Sequence, residues 1–345
     1  MPTTPAMSAR GETAPRVLVV TYALDPTADY VLRELNARGV PFWRTDLADF
    51  PTRSILRAEL RSDGQRSDGQ RSRWAGGWHD RSRGVDFSAL RAVWWRKPTP
   101  HEFAETMSGP ELQFAATQAK QAMTVLGSLP GVLWVNRPQA NADCTKPVQL
   151  AAAVEAGLPV PETLITNDPA EVAAFAERCG GRIVTKVLGG IVHTENGKRG
   201  QLYTRRVPAE QWDDSRIALT AHLFQREITD KAYEIRVTVV DEQQFPVAIR
   251  PTHTLADGEP QLDWRQNSKS FTHSATTLPG NLQYGIRQMM DRLGLVFAAL
   301  DFIVDQKGAH HLVDVNPGGQ WAWIETTRDA ISYAIADLLE KGQAG

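Results

Sequence analysis

Near the C-terminal end of the chain, two apolar runs each carry an acid in a strand-like setting. The first is Ala-Leu-Asp301-Phe-Ile-Val-Asp; after a short break comes His-Leu-Val-Asp314-Val-Asn316-Pro-Gly-Gly. Strand side chains alternate, so Asp314 and Asn316 share a face. If the runs pair as neighbours, Asp301, Asp314 and Asn316 converge. Three oxygen-bearing side chains without Cys or His suit a hard cation such as Mg²⁺, which takes carboxylates, waters and substrate phosphates. Such a metal site points to ATP chemistry. The competing reading is a hairpin end rich in turn-forming Asp, Asn, Pro and Gly.

A nucleotide site also needs cations for phosphates, backbone groups for adenine and a cover for the phosphates. Lys186 sits inside an otherwise apolar strand, where burial is costly unless the ammonium meets an anion; an edge-strand lysine facing water is the alternative. Lys146 opens a helix after a Pro/Asn-rich loop, where a solvated lysine is equally natural. The stretch Gly189-Gly190-Ile-Val-His193 through Gly200 is Gly-rich and polar, so its amides could drape over phosphates, as Gly-rich loops do, although any hairpin can be Gly-rich. Gln225-Arg226-Glu227-Ile228 ends a strand; its backbone could meet an adenine edge and its carboxylate a ribose. Glu234-Ile-Arg236 places an acid and an arginine on one strand face, and a planar guanidinium suits phosphate oxygens. An ordinary Glu–Arg surface pair is the alternative.

The elements that must position these groups follow from the pattern. Arg16-Val-Leu-Val-Val-Thr-Tyr reads as a buried strand, 29–39 as an amphipathic helix closed by Gly39, and 41–45 as a second strand. This strand–helix–strand opening predicts a parallel α/β domain. Residues 1–15 read as a flexible arm. Over 61–84 the pentad Arg-Ser-Asp-Gly-Gln is written twice, and six Arg are partly offset by three Asp; the composition predicts a mobile loop. Strands follow at 92–97 and 132–136, with a helix over 109–126 between them. The character changes near 138–143, which sets a domain boundary. Beyond it come a helix over 146–156, strands at 161–166 and 182–188, a helix at 169–179, a strand at 221–228 and an antiparallel pair at 233–240 and 246–250. A helix at 282–293 leads into the acid-bearing strands, and a last helix spans 327–340. The predicted division is an N-terminal α/β domain over 16–138 and two further parts over 139–228 and 229–345.

The 345-residue chain is long enough for two or three domains. Its formal net charge of −2 carries no nucleic-acid footprint, and no apolar run reaches membrane-spanning length. The N-terminus is polar and lacks a signal core. With only Cys144 and Cys179, a disulfide framework is not expected and a reducing cytoplasm is the default. No P-loop, no G-x-G-x-x-G opening a helix and no G-x-S-x-G elbow occurs, and the His residues do not fall into zinc spacing.

Taken in order, Lys146, Lys186, the Gly-rich stretch, Gln225–Ile228, Glu234-Ile-Arg236, Asp301 and Asp314-x-Asn316 resemble the ATP-grasp superfamily over about residues 136–325. Residues 16–135 look like the α/β domain that precedes it. The likeness is strongest to the maturases that cross-link ribosomally made peptides, the graspetide or microviridin-type synthetases. It is carried by Trp94-Trp95-Arg96-Lys97-Pro98, Trp134-Val-Asn136-Arg-Pro138, Lys146-Pro-Val-Gln149-Leu, Gly157-Leu-Pro-Val-Pro161-Glu-Thr-Leu-Ile-Thr-Asn-Asp168-Pro and Val313-Asp314-Val-Asn316-Pro-Gly-Gly-Gln320-Trp. One departure is Asp314, where the wider superfamily usually has Glu.

The resemblance implies an ATP-grasp fold of class α/β (α+β): an N-terminal parallel α/β domain, a small central α+β domain and a C-terminal antiparallel-sheet ATP-binding domain. It implies ATP and Mg²⁺, with Lys146 and Lys186 on phosphates, Asp301, Asp314 and Asn316 on the metal, and Arg236 on an acyl phosphate. Gly189, Gly190, His193, Gln225, Arg226, Glu227, Ile228 and Glu234 complete the nucleotide set. Arg96, Lys97, Arg236 and Arg250 are then candidates for an acidic precursor peptide with leader and core. A cytoplasmic homodimer that engages neither nucleic acid nor membrane is implied as well. The chemistry would join a peptide Asp or Glu to a Thr, Ser or Lys of the same peptide. A ligase that adds an amino acid or amine, and a nucleotide-binding scaffold without catalysis, are the other readings.

Overall fold

The computed structural model describes residues 14–60, 74–189, 192–195, 198–252 and 271–342. Two compact units emerge, one of residues 1–137 with 332–345 and one of 138–331. The central and C-terminal sheets both lie in the second unit.

The first unit begins with β1 (Val17–Thr21), every residue of which is buried. A strand this apolar belongs inside a parallel sheet covered on both faces. It leads into α1 (Pro26–Ala37), which starts earlier than the sequence suggests. Asp25 caps it by accepting the Thr27 and Ala28 N–H groups, with Pro26 in the first turn. β2 (Phe42–Thr45) follows, then β3 (Ile55–Leu60), β4 (Trp74–His79), β5 (Gly84–Asp86), β6 (Ala92–Lys97), α2 (Gly109–Met123) and β7 (Leu133–Val135). The main sheet has the order β2-β1-β6-β7, all parallel.

β3, β4 and β5 form a separate antiparallel sheet, which corrects the loop reading of 61–84 in part. Residues 61–73 lie outside the described residues, but 74–79 is a strand. Its Trp78 is fully buried, edge-on to Trp43 at 5.2 Å, and donates to Ser54 Oγ at 2.8 Å. The Gly-rich composition that reads as loop lets β3 come close: a Cβ on Gly76 would sit 2.0 Å from the Arg57 carbonyl oxygen. The predicted arm at 1–15 falls almost wholly outside the described residues.

The second unit opens with α3 (Pro138–Asp143) and α4 (Lys146–Glu155). A four-stranded antiparallel sheet has the order β12-β9-β13-β8. Its strands are β8 (Thr163–Thr166), β9 (Ile183–Lys186), β12 (Arg205–Arg206) and β13 (His222–Arg226). The helix α5 (Pro169–Arg178), capped by Asp168, buries Val172, Phe175 and Ala176 against Ile183 and Phe224 of this sheet. Between β9 and β12, β10 (Val192–Glu195) and β11 (Lys198–Gln201) pair as a hairpin.

The last sheet has the order β16-β15-β14-β17-β18, antiparallel throughout. Its strands are β14 (Lys231–Val240), β15 (Gln243–Pro251), β16 (Phe271–Ala275), β17 (Phe297–Asp305) and β18 (His310–Asn316). One face is apolar. Ile235, Val237 and Val239 of β14, Leu300 and Phe302 of β17, and Leu312 and Val315 of β18 pack with Ala152 and Ala153 of α4. The helix α6 (Gly280–Leu293) adds Leu282, Ile286, Met289 and Leu293 at helical spacing. The alternate residues of the same strands therefore line the other face. A final helix, α7 (Glu325–Lys341), contributes its start to this unit and its end to the first, where Arg38 pairs with Asp337 and, at 3.0 Å, with Glu340.

Candidate functional site

Strand register assembles the site. Arg236 of β14 stands opposite Asp301 of β17, and Asp301 stands opposite Asp314 of β18. Directly opposed residues project from the same side of a sheet. A row Arg236–Asp301–Asp314 therefore crosses three strands on the face away from the apolar core. Asn316 falls one step along, opposite Ala299. The convergence expected from the sequence is thus a consequence of pairing.

Each carboxylate of the row has a cation. Arg236 Nη1 donates to Asp301 Oδ1 at 3.0 Å and Oδ2 at 3.2 Å, and both residues are buried. Lys146, the first residue of α4, donates to Asp314 Oδ1 at 2.5 Å. Lys186, at the end of β9, donates to the Val313 carbonyl oxygen at 2.5 Å. Val313 is the extra residue of a β-bulge, since Asp301 pairs with Asp314 but Phe302 pairs with Leu312. The bulge interrupts the ladder at this point, where the Val313 carbonyl accepts from Lys186. The lysine that looked expensive inside an apolar strand thus reaches across to β18. A narrow cleft is lined by Lys146, Gln149, Lys186, Val313 and Asp314. Three cations and two carboxylates (Lys146, Lys186, Arg236 against Asp301, Asp314) leave one net positive charge. Such a site favours an anion before any ligand arrives.

The oxygen donors fit a hard cation. Asp314 already holds an ammonium as a stand-in. Two carboxylates and an amide are the sparse ligation that Mg²⁺ accepts when waters and phosphates complete the shell. Among the described residues no group of three or more His, Cys, Asp or Glu side chains that could hold a metal ion occurs. The turn reading of Asn316 is also realised: its Oδ1 accepts the Gly318 N–H at 3.0 Å. That turn brings Gly319 over Ala299, where a Cβ would lie 2.3 Å from the Ala299 methyl and 3.3 Å from Arg236 Nη2. Only glycine lets the chain pass this close to Arg236.

Other predicted residues sit differently. Glu234 shares the face of Arg236 and accepts from Lys231 Nζ at 2.6 Å, with both side chains nearly buried. Gln225 is buried and donates to Thr163 Oγ1 at 2.9 Å. Arg226 turns outward to Glu162 at 2.8 Å. Glu227 is buried between Arg182 at 3.1 Å and Arg206 at 2.8 Å, so its carboxylate is engaged by two guanidinium groups. The N–H groups of Arg226 and Glu227 pair with the carbonyls of Glu162 and Arg182. Ile228 is half-buried beyond the strand end. Gly189 is exposed, and the backbone of His193 lies in the β10–β11 hairpin opposite Gly200. Gly190 lies outside the described residues.

Two of the cations proposed for substrate depart from expectation. Arg96 is buried in the first unit, with its guanidinium bound to Asp25 at 2.6 Å and stacked over the Trp94 ring. Burial pushes the Asp25 carboxyl up, but Arg96 and hydrogen bonds from Thr21 and the Ala28 N–H outweigh it, so the carboxyl lies below its ordinary range. Burial pulls Arg96 down, yet an arginine stays charged. Lys97, its neighbour, is half-buried. Arg250 lies on the wrong face of its sheet. Because Glu234 opposes Ile249, the next residue points to the other side, and Arg250 covers the Tyr233 ring at 4.1 Å.

Gln149 was not predicted to have a role. One turn beyond Lys146 on α4, it holds the backbone of β18, donating to the Val315 carbonyl at 2.9 Å and accepting the Val315 N–H at 3.3 Å. A glutamine in an Ala-rich helix gives no warning of this; only its spacing from Lys146 places it on the same helix face. Cys144 and Cys179 are free and buried, as expected, and burial pushes the Cys144 thiol up.

No protein-family model matches the chain, and no curated protein sequence does. Solved structures do. The macrocyclase MdnB from Microcystis aeruginosa MRC is 28% identical, with 94% of this chain and 98% of that chain covered at a TM-score of 0.74. The macrocyclase MdnC, bound with the precursor peptide MdnA from the same source, is 25% identical, with 94% and 99% covered and a TM-score of 0.78. A Chryseobacterium gregarium RiPP-associated ATP-grasp ligase, in complex with ADP and a leader and core peptide, is 21% identical, with 96% and 98% covered and a TM-score of 0.82. The chain has the ATP-grasp fold and is similar, over nearly its whole length, to RiPP-associated ATP-grasp ligases and macrocyclases.

Proposed function

We propose that this protein is an ADP-forming ATP-grasp ligase that activates Asp or Glu side chains of a ribosomally made acidic peptide. It then closes them onto a Ser, Thr or Lys of the same peptide as an ester or amide. The observation that carries the reading is the Arg236–Asp301–Asp314 row, bordered by Lys146 and Lys186, in a chain of this fold.

In the first step a carboxylate oxygen of the peptide bonds to the γ-phosphorus of ATP, the bond to the β–γ bridging oxygen breaks, and ADP leaves. In the second, a hydroxyl or amine attacks the acyl carbon, phosphate departs, and the nucleophile's proton is released. The protein's part is positioning and charge neutralisation. Lys146 and Lys186 hold phosphates, and Arg236 neutralises the transferred phosphoryl group. Asp301, Asp314 and Asn316 would hold Mg²⁺, which supplies charge neutralisation between the phosphates when bound. The backbone of 226–228 meets the adenine edge, with Gly189, Gly190, His193, Gln225, Glu227 and Glu234 around the nucleotide. Lys97 and Arg236 are each candidates for contacting the acidic peptide. The reading includes a homodimer in the cytoplasm; the unpaired cysteines are in keeping with a reducing compartment, and no helix of the described residues is long and apolar enough to cross a membrane.

Intact mass spectrometry tests the proposal. An acidic peptide with a leader and a Thr-containing core is incubated with the protein, ATP and Mg²⁺. Loss of one water per ring, abolished by Asp314→Ala or Lys186→Ala, is expected. A gain equal to an added residue or amine would replace the reading with a conjugating ligase. Nucleotide binding without ADP formation, unaffected by Asp314→Ala, would leave only a scaffold.

A further inference from the structure

β18 is the outermost strand of its sheet. The edge that faces away from β17 has backbone groups needing partners, since an unpaired polar group at a sheet edge is costly once covered. Two side chains meet that need. Lys186 takes the Val313 carbonyl, and Gln149 takes both the N–H and the carbonyl of Val315. Gln149 also donates to the Cys144 carbonyl at 2.7 Å, in the loop that precedes α4. Its amide is buried, and both its donor and its acceptor ends are used. It acts as a one-residue surrogate strand along β18. A carboxamide carries a donor and an acceptor side by side and matches a backbone peptide group in this way.

The position gives the contact its meaning. Val315 lies between Asp314 and Asn316, the two donors of β18, and Lys146, three residues before Gln149, binds Asp314. We infer that Gln149 is a positioning residue for the metal, fixing the spacing of Asp314 and Asn316 through the Val315 peptide groups. The inference rests on the proposed reading of the site as a metal–nucleotide centre. Residues that orient ligands without touching the metal typically affect metal affinity by about 10–100-fold.

The test is Gln149→Met, which keeps length and packing but removes the hydrogen bonds to Cys144 and Val315. Mn²⁺ affinity is measured by electron paramagnetic resonance on the full chain saturated with AMP-PNP. AMP-PNP affinity is measured separately in EDTA, and the melting temperature gives a control. The expected result is Mn²⁺ binding weakened about 10-fold or more, with metal-free nucleotide affinity within about twofold of the parent. If Gln149→Met does not fold, Gln149→Asn, which keeps the amide but shortens its reach, is measured in the same way with the same expectation. Mn²⁺ affinity within twofold of the parent overturns the inference, as does an equal fall in both affinities, which marks a general loss of structure. A parent protein that binds AMP-PNP but no Mn²⁺ overturns the metal reading itself, and this inference with it.

Discussion

The first unit joins Asp25 to Arg96 and the second joins Asp301 to Arg236. Both pairs are buried and both arginines lie on strands, yet their surroundings differ. Asp25 is saturated: it accepts from Arg96, from the Thr21 hydroxyl at 2.8 Å and from two N–H groups at the start of α1. The pair welds a helix N-terminus to β6. Asp301 faces a second carboxylate across the ladder and stands in a row whose other acid is held by a lysine from a separate helix. A closed pair with every donor answered is structural. A pair set beside further carboxylates and cations at a cleft has charge to exchange with a ligand. Residue type and burial do not separate the two; the wider hydrogen-bond pattern does.

The sharpest test of that contrast is Arg96→Met. Leaving Asp25 buried without its partner is expected to cost about 3–5 kcal/mol of stability in urea unfolding, while turnover per folded molecule stays within about twofold. A variant as stable as the parent that binds acidic peptide more weakly would return Arg96 to the substrate. The pair also carries a pH signature. The Asp25 carboxyl titrates below its ordinary value in the folded state. Its contribution is therefore fully present above the unfolded value of about 3.9, and it is lost as pH falls through the folded value. The stability gap between the parent and Asp25→Asn, followed by urea unfolding across a pH series, should shrink on that acid side and stay constant above it.

Arg236→Met is expected to do the reverse. Removing one group that stabilises developing charge lowers turnover by about 10²–10³-fold, with ADP release as the measure. A larger effect on melting than on turnover would make Arg236 the counterpart of Arg96. A smaller effect is expected at Lys146. Lys146→Met should weaken nucleotide binding about tenfold, in the range of one charge-assisted hydrogen bond, and should strengthen Mn²⁺ binding without nucleotide, because Asp314 loses its ammonium. Unchanged nucleotide-free Mn²⁺ binding would sink the stand-in role. The smallest effect is expected from Arg250→Ala. An exposed arginine over a half-buried ring contributes about 0.5–1 kcal/mol, so melting should shift slightly, with nucleotide and Mn²⁺ affinities unchanged in titration calorimetry.

Part of the polar row that strand register assembles was legible before the fold was known. Asp301, Asp314 and Asn316 announced themselves as polar residues in apolar runs of period two, and Lys186 as a cation where a hydrophobe was due. Such signals survive in a sequence because burial penalises exceptions. Arg250 misled because a one-residue offset in register sends a side chain to the opposite face, and register is a property of two strands. Arg96 misled because a partner 71 residues away decides whether a charged strand end meets water or an aspartate. The sheet of β3, β4 and β5 was missed because its glycines and arginines have loop composition, and Trp78 becomes core only when Trp43 covers it.

The sequence by itself determined the alternation of strands and helices and the roster of polar residues placed where apolar ones belong. These depend on local periodicity and composition, which a chain carries whatever its partners. Tertiary structure alone decided that Arg236, Asp301 and Asp314 stand in one row, that Lys146 and Gln149 reach β18 from a helix, and that Asp25 rather than a ligand holds Arg96. Each of these depends on which strand lies beside which, and in what register, and that is set by burying two faces of a sheet at once.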